Sequence, residues 1–135
     1  MTVGAQLKLY LACLAVFFAL DLTWLGVVAK GFYQQQLGHL TRPDVIWWAA
    51  ILFYLIYVAA IVVLCVAPAV EKGSLARALA LGALFGLAAY AAFDLTSLAL
   101  LKDFPVRAVV VDLAWGTALT ATVSAAGFAV ARRLG

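Results

Sequence analysis

Four long apolar runs constrain the fold of this chain more than any other feature. They cover residues 5–28, 45–68, 75–101 and 106–131, and about 20 consecutive apolar residues suffice to cross the hydrocarbon core of a bilayer. The runs take up most of the 135 residues, so no stretch is left for a soluble domain. The sequence therefore predicts one all-α domain over residues 1–135, an integral membrane four-helix bundle.

The composition argues against a soluble globular protein. Hydrophobic residues make up 68% of the chain and charged residues 11%, and a soluble domain of this size has too little interior to bury so much apolar surface. The first run is too long for the apolar region of a signal peptide and contains Asp21, so we interpret it as a retained span. The net charge of +3 is small and scattered, so we expect membrane lipids as partners and no nucleic acid.

The distribution of basic residues bears on orientation. An even number of spans puts both termini on one side of the membrane. Five basic residues fall on that side and four on the other: Lys8, Lys72, Arg77, Arg132 and Arg133 against Lys30, Arg42, Lys102 and Arg107. The excess favours cytoplasmic termini, because cytoplasmic loops carry more Lys and Arg.

The first connection, "AKGFYQQQLGHLTRPD", is the only long one. Tyr33, Leu37 and Leu40 recur in it at i, i+4 and i+7, with glutamines between them. This spacing predicts a short amphipathic helix that lies in the membrane interface and ends before Pro43.

The two halves of the chain share a motif. A shift of 73 residues sets "LACLAVFFALDLTWLGVV" over "LFGLAAYAAFDLTSLALL", with eight of eighteen positions identical. About half of those identities are expected by chance between segments so rich in Ala and Leu, so the shared Asp-Leu-Thr run is the informative part. A third version, Asp112-Leu-Ala-Trp115, opens the last span.

Small residues within the spans suggest close packing. Gly82 and Gly86 form a small-xxx-small pattern that lets two helix backbones approach, either inside the bundle or in a homo-oligomer, and we favour the first. Cys13 and Cys65 match no metal motif, and we interpret them as small buried hydrophobic residues.

Three carboxylates fall at one depth. Asp21 and Asp94 each precede the end of a span by about seven residues, and Asp112 follows the start of the last span by about six. At ~1.5 Å per residue, all three lie roughly 10 Å inside the same face of the membrane. An aspartate facing lipid there would cost several kcal/mol, so we expect the acids to face the bundle interior and to share protons.

Aromatic and hydroxyl side chains accompany these acids. Phe17, Asp21 and Trp24 lie on one helix face, and the same spacing recurs in the third span. The predicted ligand-binding set is Asp21, Thr23, Trp24, Tyr54, Tyr57, Tyr90, Asp94, Ser97, Asp112 and Trp115. The alternative is that these side chains only hold helices together by hydrogen bonds. We predict no metal site, since the only histidine, His39, lies in the first connection, where we interpret it as a hydrogen-bonding or capping residue.

Four segments resemble a known family. "LDLTWLG", "FYQQQLGHL", "AAFDLTSLAL" and "VDLAWGT" are similar to motifs of the bacterial membrane protein family called domain of unknown function 2177 (DUF2177), and the resemblance covers nearly the whole chain. It implies four spans in a bacterial inner membrane, without an activity, cofactor or catalytic residue. Because the first connection lies on the same face as the three acids, the match of "FYQQQLGHL" favours a position of this connection over the carboxylate cavity.

Three classes of function remain open. The protein could bind or translocate a small hydrophobic or cationic ligand or lipid, with the acids as a proton-coupled or charge-pairing site. It could instead be a membrane enzyme that modifies a lipid acyl chain, although the sequence contains no familiar catalytic motif. The third class is a structural accessory subunit. We favour the first, and we expect a homo-oligomer if the task is transport, because four helices hardly enclose a path.

Overall fold

Four long helices and one short helix build the protein. The computed structural model describes residues 1–134, and within this range it contains helices and no strand. The helices are α1 (Val3–Val28), α2 (Lys30–Leu37), α3 (Trp47–Lys72), α4 (Leu75–Leu100) and α5 (Val106–Leu134). All except α2 are long and apolar enough to cross a membrane, which confirms the predicted four-helix membrane bundle.

Local chemistry sets several of the helix ends. The hydroxyl of Thr2 accepts a hydrogen bond from the backbone N–H of Ala5, at 3.0 Å, and so caps the start of α1. Ser74 caps α4 in the same way, through the N–H of Arg77 at 3.1 Å. Between α3 and Ser74, Gly73 takes a left-handed conformation with φ of 60°, which a residue without a Cβ adopts at little cost.

Two of the long helices contain a π-helical turn. These turns are Trp24–Val28, at the end of α1, and Val62–Val66, in the second half of α3. Such turns widen a helix locally and occur frequently at functional sites. The first of them begins at Trp24, a residue of the predicted site.

The closest packing in the bundle joins α4 to α5. A Cβ added to Gly82 would lie 2.7 Å from the carbonyl oxygen of Thr120, and one added to Gly86 would overlap the carbonyl oxygen of Gly116. The two backbones therefore touch at these glycines. This confirms the prediction that the small-residue pattern serves packing inside the chain.

The side chains divide into a small buried core and an apolar outer surface. Cys13 and Cys65 are buried, unpaired and enclosed by hydrophobic neighbours, as predicted. Large apolar side chains such as Trp48 and Leu84 point outward and are exposed. Lipid would cover such a surface in a membrane.

The second span separates from the third along its length. The Val62–Val66 turn of α3 packs against α4, whereas Trp47–Ile61 packs against α1 and α5. The two spans thus meet near their shared hairpin and diverge toward the side of the first connection. This divergence creates the space for the site described below.

The helix of the first connection is shorter than the sequence predicts. It ends at Leu37, and Leu40 lies in the turn that follows, so the prediction that Leu40 continues the helix is wrong. Gly38 is a poor helix former, and the hydroxyl of Thr41 donates to the carbonyl of Leu37 at 2.8 Å. These two features end the helix early.

Candidate functional site

Asp21 is the best-coordinated carboxylate of the site. It lies on α1, and its side chain is 5% exposed. The hydroxyl of Tyr54 donates to Oδ2 at 2.8 Å, and the indole N–H of Trp115 donates to Oδ1 at 3.0 Å. Each oxygen of the carboxyl thus has a hydrogen-bond donor.

A chain of aromatic side chains connects this carboxylate to a second one. The Trp115 ring stacks on Trp24 with centroids 4.5 Å apart and planes 7° apart. The indole N–H of Trp24 donates to the hydroxyl of Tyr33 at 3.1 Å, and that hydroxyl donates to Oδ1 of Asp112 at 2.8 Å. The short helix α2, which carries Tyr33, is therefore attached to the site by a side-chain hydrogen bond.

The third carboxyl lies beside the second. Asp94 is 2% exposed, and its carboxyl is within hydrogen-bonding reach of the carboxyl of Asp112. Its Oδ2 atom is enclosed and receives no hydrogen bond from any side chain or backbone group in residues 1–134. Asp94 and Asp21 thus differ in their hydrogen-bond donors: the buried Oδ2 of Asp94 has none, whereas each oxygen of Asp21 has one.

A cavity of about 460 Å³ opens beside this network. Its volume falls in the range of roughly 300–1,000 Å³ typical of small-molecule sites. Four helices contribute to the wall: Asp21 and Leu25 from α1, Ala50, Phe53 and Tyr54 from α3, Ala89, Tyr90 and Phe93 from α4, and Asp112 and Trp115 from α5. The wall is mainly apolar and aromatic, and it carries two of the three carboxylates.

The cavity lies in the gap between α3 and α4. Tyr57 of α3 and Phe85 of α4 stack on each other with centroids 5.2 Å apart, outside the cavity wall. Phe53 and Phe93, on the two sides of the gap, are 46% and 60% exposed. The opening between them therefore faces the apolar outer surface of the bundle.

Seven of the predicted site residues belong to the cavity wall or the attached network. Asp21, Tyr54, Tyr90, Asp112 and Trp115 line the cavity, Trp24 joins through its stack on Trp115, and Asp94 joins through Asp112. The backbone of α5 makes room for one of them: a Cβ on Gly116 would overlap the ring of Tyr90.

The structure does not bring the other three into the wall. Thr23 is exposed and donates to the carbonyl of Ala19 in its own helix, at 2.6 Å, because a residue two positions from Asp21 points to the opposite side of the helix. Tyr57 lies in the core, with its hydroxyl 2.8 Å from that of Thr120. Ser97 is buried outside the cavity wall.

Sequence reasoning missed three aromatic participants. The sequence pattern identifies Tyr33 only as an apolar position of the interfacial helix, and it singles out neither Phe53 nor Phe93. The one available signal for Tyr33 was the segment "FYQQQLGHL", which predicted coverage of the site without a specific contact. Phe53 and Phe93 carried no signal, because their role depends on the divergence of α3 from α4.

Two contacts hold the first connection near the site. Burial raises the pKa of Tyr33 above its ordinary value, so the phenol remains a neutral donor to Asp112. His39 places Nε2 at 3.1 Å from the carbonyl oxygen of Asp103, in the connection between α4 and α5. This agrees with the interpretation of His39 as a hydrogen-bonding loop residue.

The fold and the site define a class: a small all-helical membrane protein with an acid-containing cavity between its spans. The chain belongs to the family described as "Predicted membrane protein (DUF2177)", whose model matches residues 6–129. No curated protein and no solved structure matches the chain.

Proposed function

We propose that this protein binds a small hydrophobic cation or a cationic amphiphile, which reaches the cavity from the bilayer. The observation that carries the proposal is the cavity between α3 and α4, in which an apolar aromatic wall surrounds the carboxylates of Asp21 and Asp112.

The charge of the cavity favours a cation. No basic side chain in residues 1–134 forms an ion pair with Asp21 or Asp112. A carboxylate within a membrane span is costly unless it is paired or protonated. A ligand with a positive charge would supply the missing partner of Asp21, which already has its two hydrogen-bond donors.

The aromatic wall supports the same class of ligand. The rings of Phe53, Tyr54, Tyr90, Phe93 and Trp115 line the cavity. Aromatic faces attract ammonium groups, by ~0.5–2 kcal/mol for each favourable contact. An alkyl or aryl ammonium ion would thus place its charge near the acids and its apolar part against the rings.

The lateral opening supports access from the membrane. The exposed rings of Phe53 and Phe93 flank the gap between α3 and α4. An amphiphile dissolved in the bilayer can reach this gap without leaving the hydrocarbon phase. A lipid with a cationic or hydrogen-bonding headgroup fits the same route.

Location and assembly belong to the same proposal. We place the protein in a bacterial inner membrane with both termini cytoplasmic, which puts α2 and the site near the outer face. For translocation we propose a homo-oligomer, since four helices hardly enclose a path.

A direct binding measurement tests the proposal. Labelled decyltrimethylammonium is equilibrated with lipid nanodiscs that contain the protein and with empty nanodiscs, and its uncharged tert-butyl isostere is measured in parallel. We expect saturable binding of the cation only, and a loss of about tenfold or more in affinity for Asp21→Asn. The matched control, Asp44→Asn, removes an acid from the exposed first connection and should leave affinity unchanged.

Three results would contradict the proposal. Equal uptake by empty nanodiscs, or equal binding of the uncharged isostere, would show that the cavity does not select a cation. An unchanged affinity in Asp21→Asn would favour a structural accessory role for the acids.

A further inference from the structure

We propose that Asp94 and Asp112 form a proton-binding site behind the cavity, and that a cation bound in the cavity displaces this proton. The proton site rests on the geometry of the two carboxyls. The displacement rests on the function proposed above.

The first step is the contact between the two acids. The carboxyl of Asp94 is buried within hydrogen-bonding reach of that of Asp112, and its Oδ2 has no donor in residues 1–134. Carboxylate oxygens only accept, so the contact is a hydrogen bond only when one of the two groups carries a proton. Two ionised groups at this distance in an apolar segment would repel each other strongly.

The second step is the difference from Asp21. Tyr54 and Trp115 donate to both oxygens of Asp21, so each of its oxygens has a hydrogen-bond donor. The pair formed by Asp94 and Asp112 receives one such donor, the hydroxyl of Tyr33. The pair therefore lacks donors that Asp21 has, and a proton held between its two carboxyls supplies one.

The third step is the shared position of Asp112. Its carboxyl lines the cavity, contacts Asp94 and accepts from Tyr33. A cation that approaches Asp112 through the cavity stabilises its ionised form. The O–H bond of the pair then breaks, the bonding electrons stay on the carboxylate, and the proton leaves to water, so that one positive charge replaces another.

Few other titratable groups face this pair. Tyr33 contacts Asp112 from α2, while Asp21 from α1, Tyr54 from α3 and Tyr90 from α4 line the same cavity. The tyrosines are neutral near neutral pH, and no basic side chain in the described range forms an ion pair with either acid of the pair. Proton release on cation binding is therefore assigned to the pair.

Infrared spectroscopy tests the proton site without any ligand. We expect the carbonyl band of a buried carboxylic acid in the native protein between about pH 5 and 7. The band should be absent in Asp94→Asn and in Asp112→Asn, and present in Asp21→Asn. Each of the variants Asp94→Asn and Asp112→Asn removes one of the two carboxyls that share the proton. If one variant fails to fold, the other still tests the proton site. A native spectrum without the band, or a band that persists in both variants, would overturn the proton site.

Calorimetry tests the displacement. Binding of decyltrimethylammonium is measured near neutral pH in two buffers of different ionisation enthalpy, which yields the number of protons released. We expect close to one proton in the native protein and none in Asp94→Asn, which should still bind the cation. Binding without proton release in the native protein would overturn the displacement. If the native protein binds no cation, the displacement falls with the proposed function, while the infrared band still decides the proton site.

Discussion

The two halves of the chain each contain an Asp-Leu-Thr segment, and the fold places these segments in two different environments. In the first half, Asp21 lines the cavity and accepts hydrogen bonds from Tyr54 and Trp115. In the second half, Asp94 lies outside the cavity wall, against another carboxyl, with an oxygen that receives no donor from residues 1–134. The same three-residue sequence thus leads to two different chemical situations.

The residue three positions after each aspartate accounts for part of the difference. Trp24 follows Asp21 and stacks on Trp115, the residue that donates to that carboxylate. Ser97 follows Asp94 and is small and buried, and its helix, α4, packs closely on α5, which carries Asp112. The comparison shows that the donors around a carboxyl, and not its motif, decide what it can do.

The largest expected effect is on ligand binding, and it distinguishes Asp21 from Asp94. Asp21→Asn should weaken decyltrimethylammonium binding by about tenfold or more, since it removes the charge that faces the cation. Asp94→Asn should not weaken binding and should tighten it, because Asp94 does not line the cavity and the variant removes the proton that the cation must displace. Equilibrium binding in nanodiscs measures both variants. Equal losses would mean that the two halves play the same role.

A second test compares the free energy of unfolding after substitution of Trp115, which donates to Asp21, and of Ser97, which follows Asp94 by three residues. Trp115→Phe should lower the free energy of unfolding by about 1–3 kcal/mol, because Oδ1 of Asp21 loses its donor in a buried site. Ser97→Ala should lower it by less than about 0.5 kcal/mol, since its hydroxyl forms no hydrogen bond within the described range that links the helices. Unfolding in bicelles by added SDS measures both. A larger loss in Ser97→Ala would contradict the importance of the Trp115 donor.

A third test concerns the hydrogen bond that attaches α2 to Asp112. Tyr33→Phe removes the hydroxyl that joins Trp24 to Asp112 and should weaken local order by about 0.5–1.5 kcal/mol. Amide hydrogen exchange of residues 30–37 should therefore accelerate several-fold. The matched control is Tyr10→Phe, whose hydroxyl donates to the carbonyl of Leu55 on α3. Equal acceleration in the control would show that α2 is not held by Tyr33.

The same contact predicts a pH dependence. Because burial raises the pKa of Tyr33 in the folded state, the phenol contributes stability that is fully present below its unfolded pKa of about 10. That contribution is lost as the pH rises from the unfolded value through the higher folded value. Ionisation of Tyr33 should therefore leave exchange in α2, corrected for the intrinsic rate, unchanged up to about pH 9. In Asp94→Asn, which lacks the proton shared with Asp112, exchange should stay constant between about pH 6 and 9, and a change there would assign the attachment to another group.

The smallest expected effect concerns the threonines of the shared motif. Thr23 and Thr96 are both exposed, and Thr23 bonds only to its own helix. Thr23→Val and Thr96→Val should each change the free energy of unfolding by less than about 0.5 kcal/mol and leave cation binding unchanged. A loss of cation binding in either variant would show that the threonines contribute to the binding site.

Much of the architecture could be predicted because it depends on local properties. Apolar length predicted four spans, and the structure has four helices that can cross a membrane. The spacing of Gly82 and Gly86 predicted close helix packing inside the chain, which their contacts with α5 confirm. The early end of α2 was missed because Gly38 and Thr41 act only on the last turn of an otherwise regular pattern.

The sequence by itself determined the number of spans and predicted a common depth for the three acids, because hydropathy and helical rise depend only on residue type and position. The tertiary structure alone decided the attachment of Tyr33 to Asp112, the divergence of α3 from α4 and the different partners of Asp21 and Asp94. These features depend on contacts between residues far apart in the chain. Packing angles and side-chain rotamers decide which of these contacts form, through small free-energy differences between alternative packings. No single segment of the sequence determines those differences.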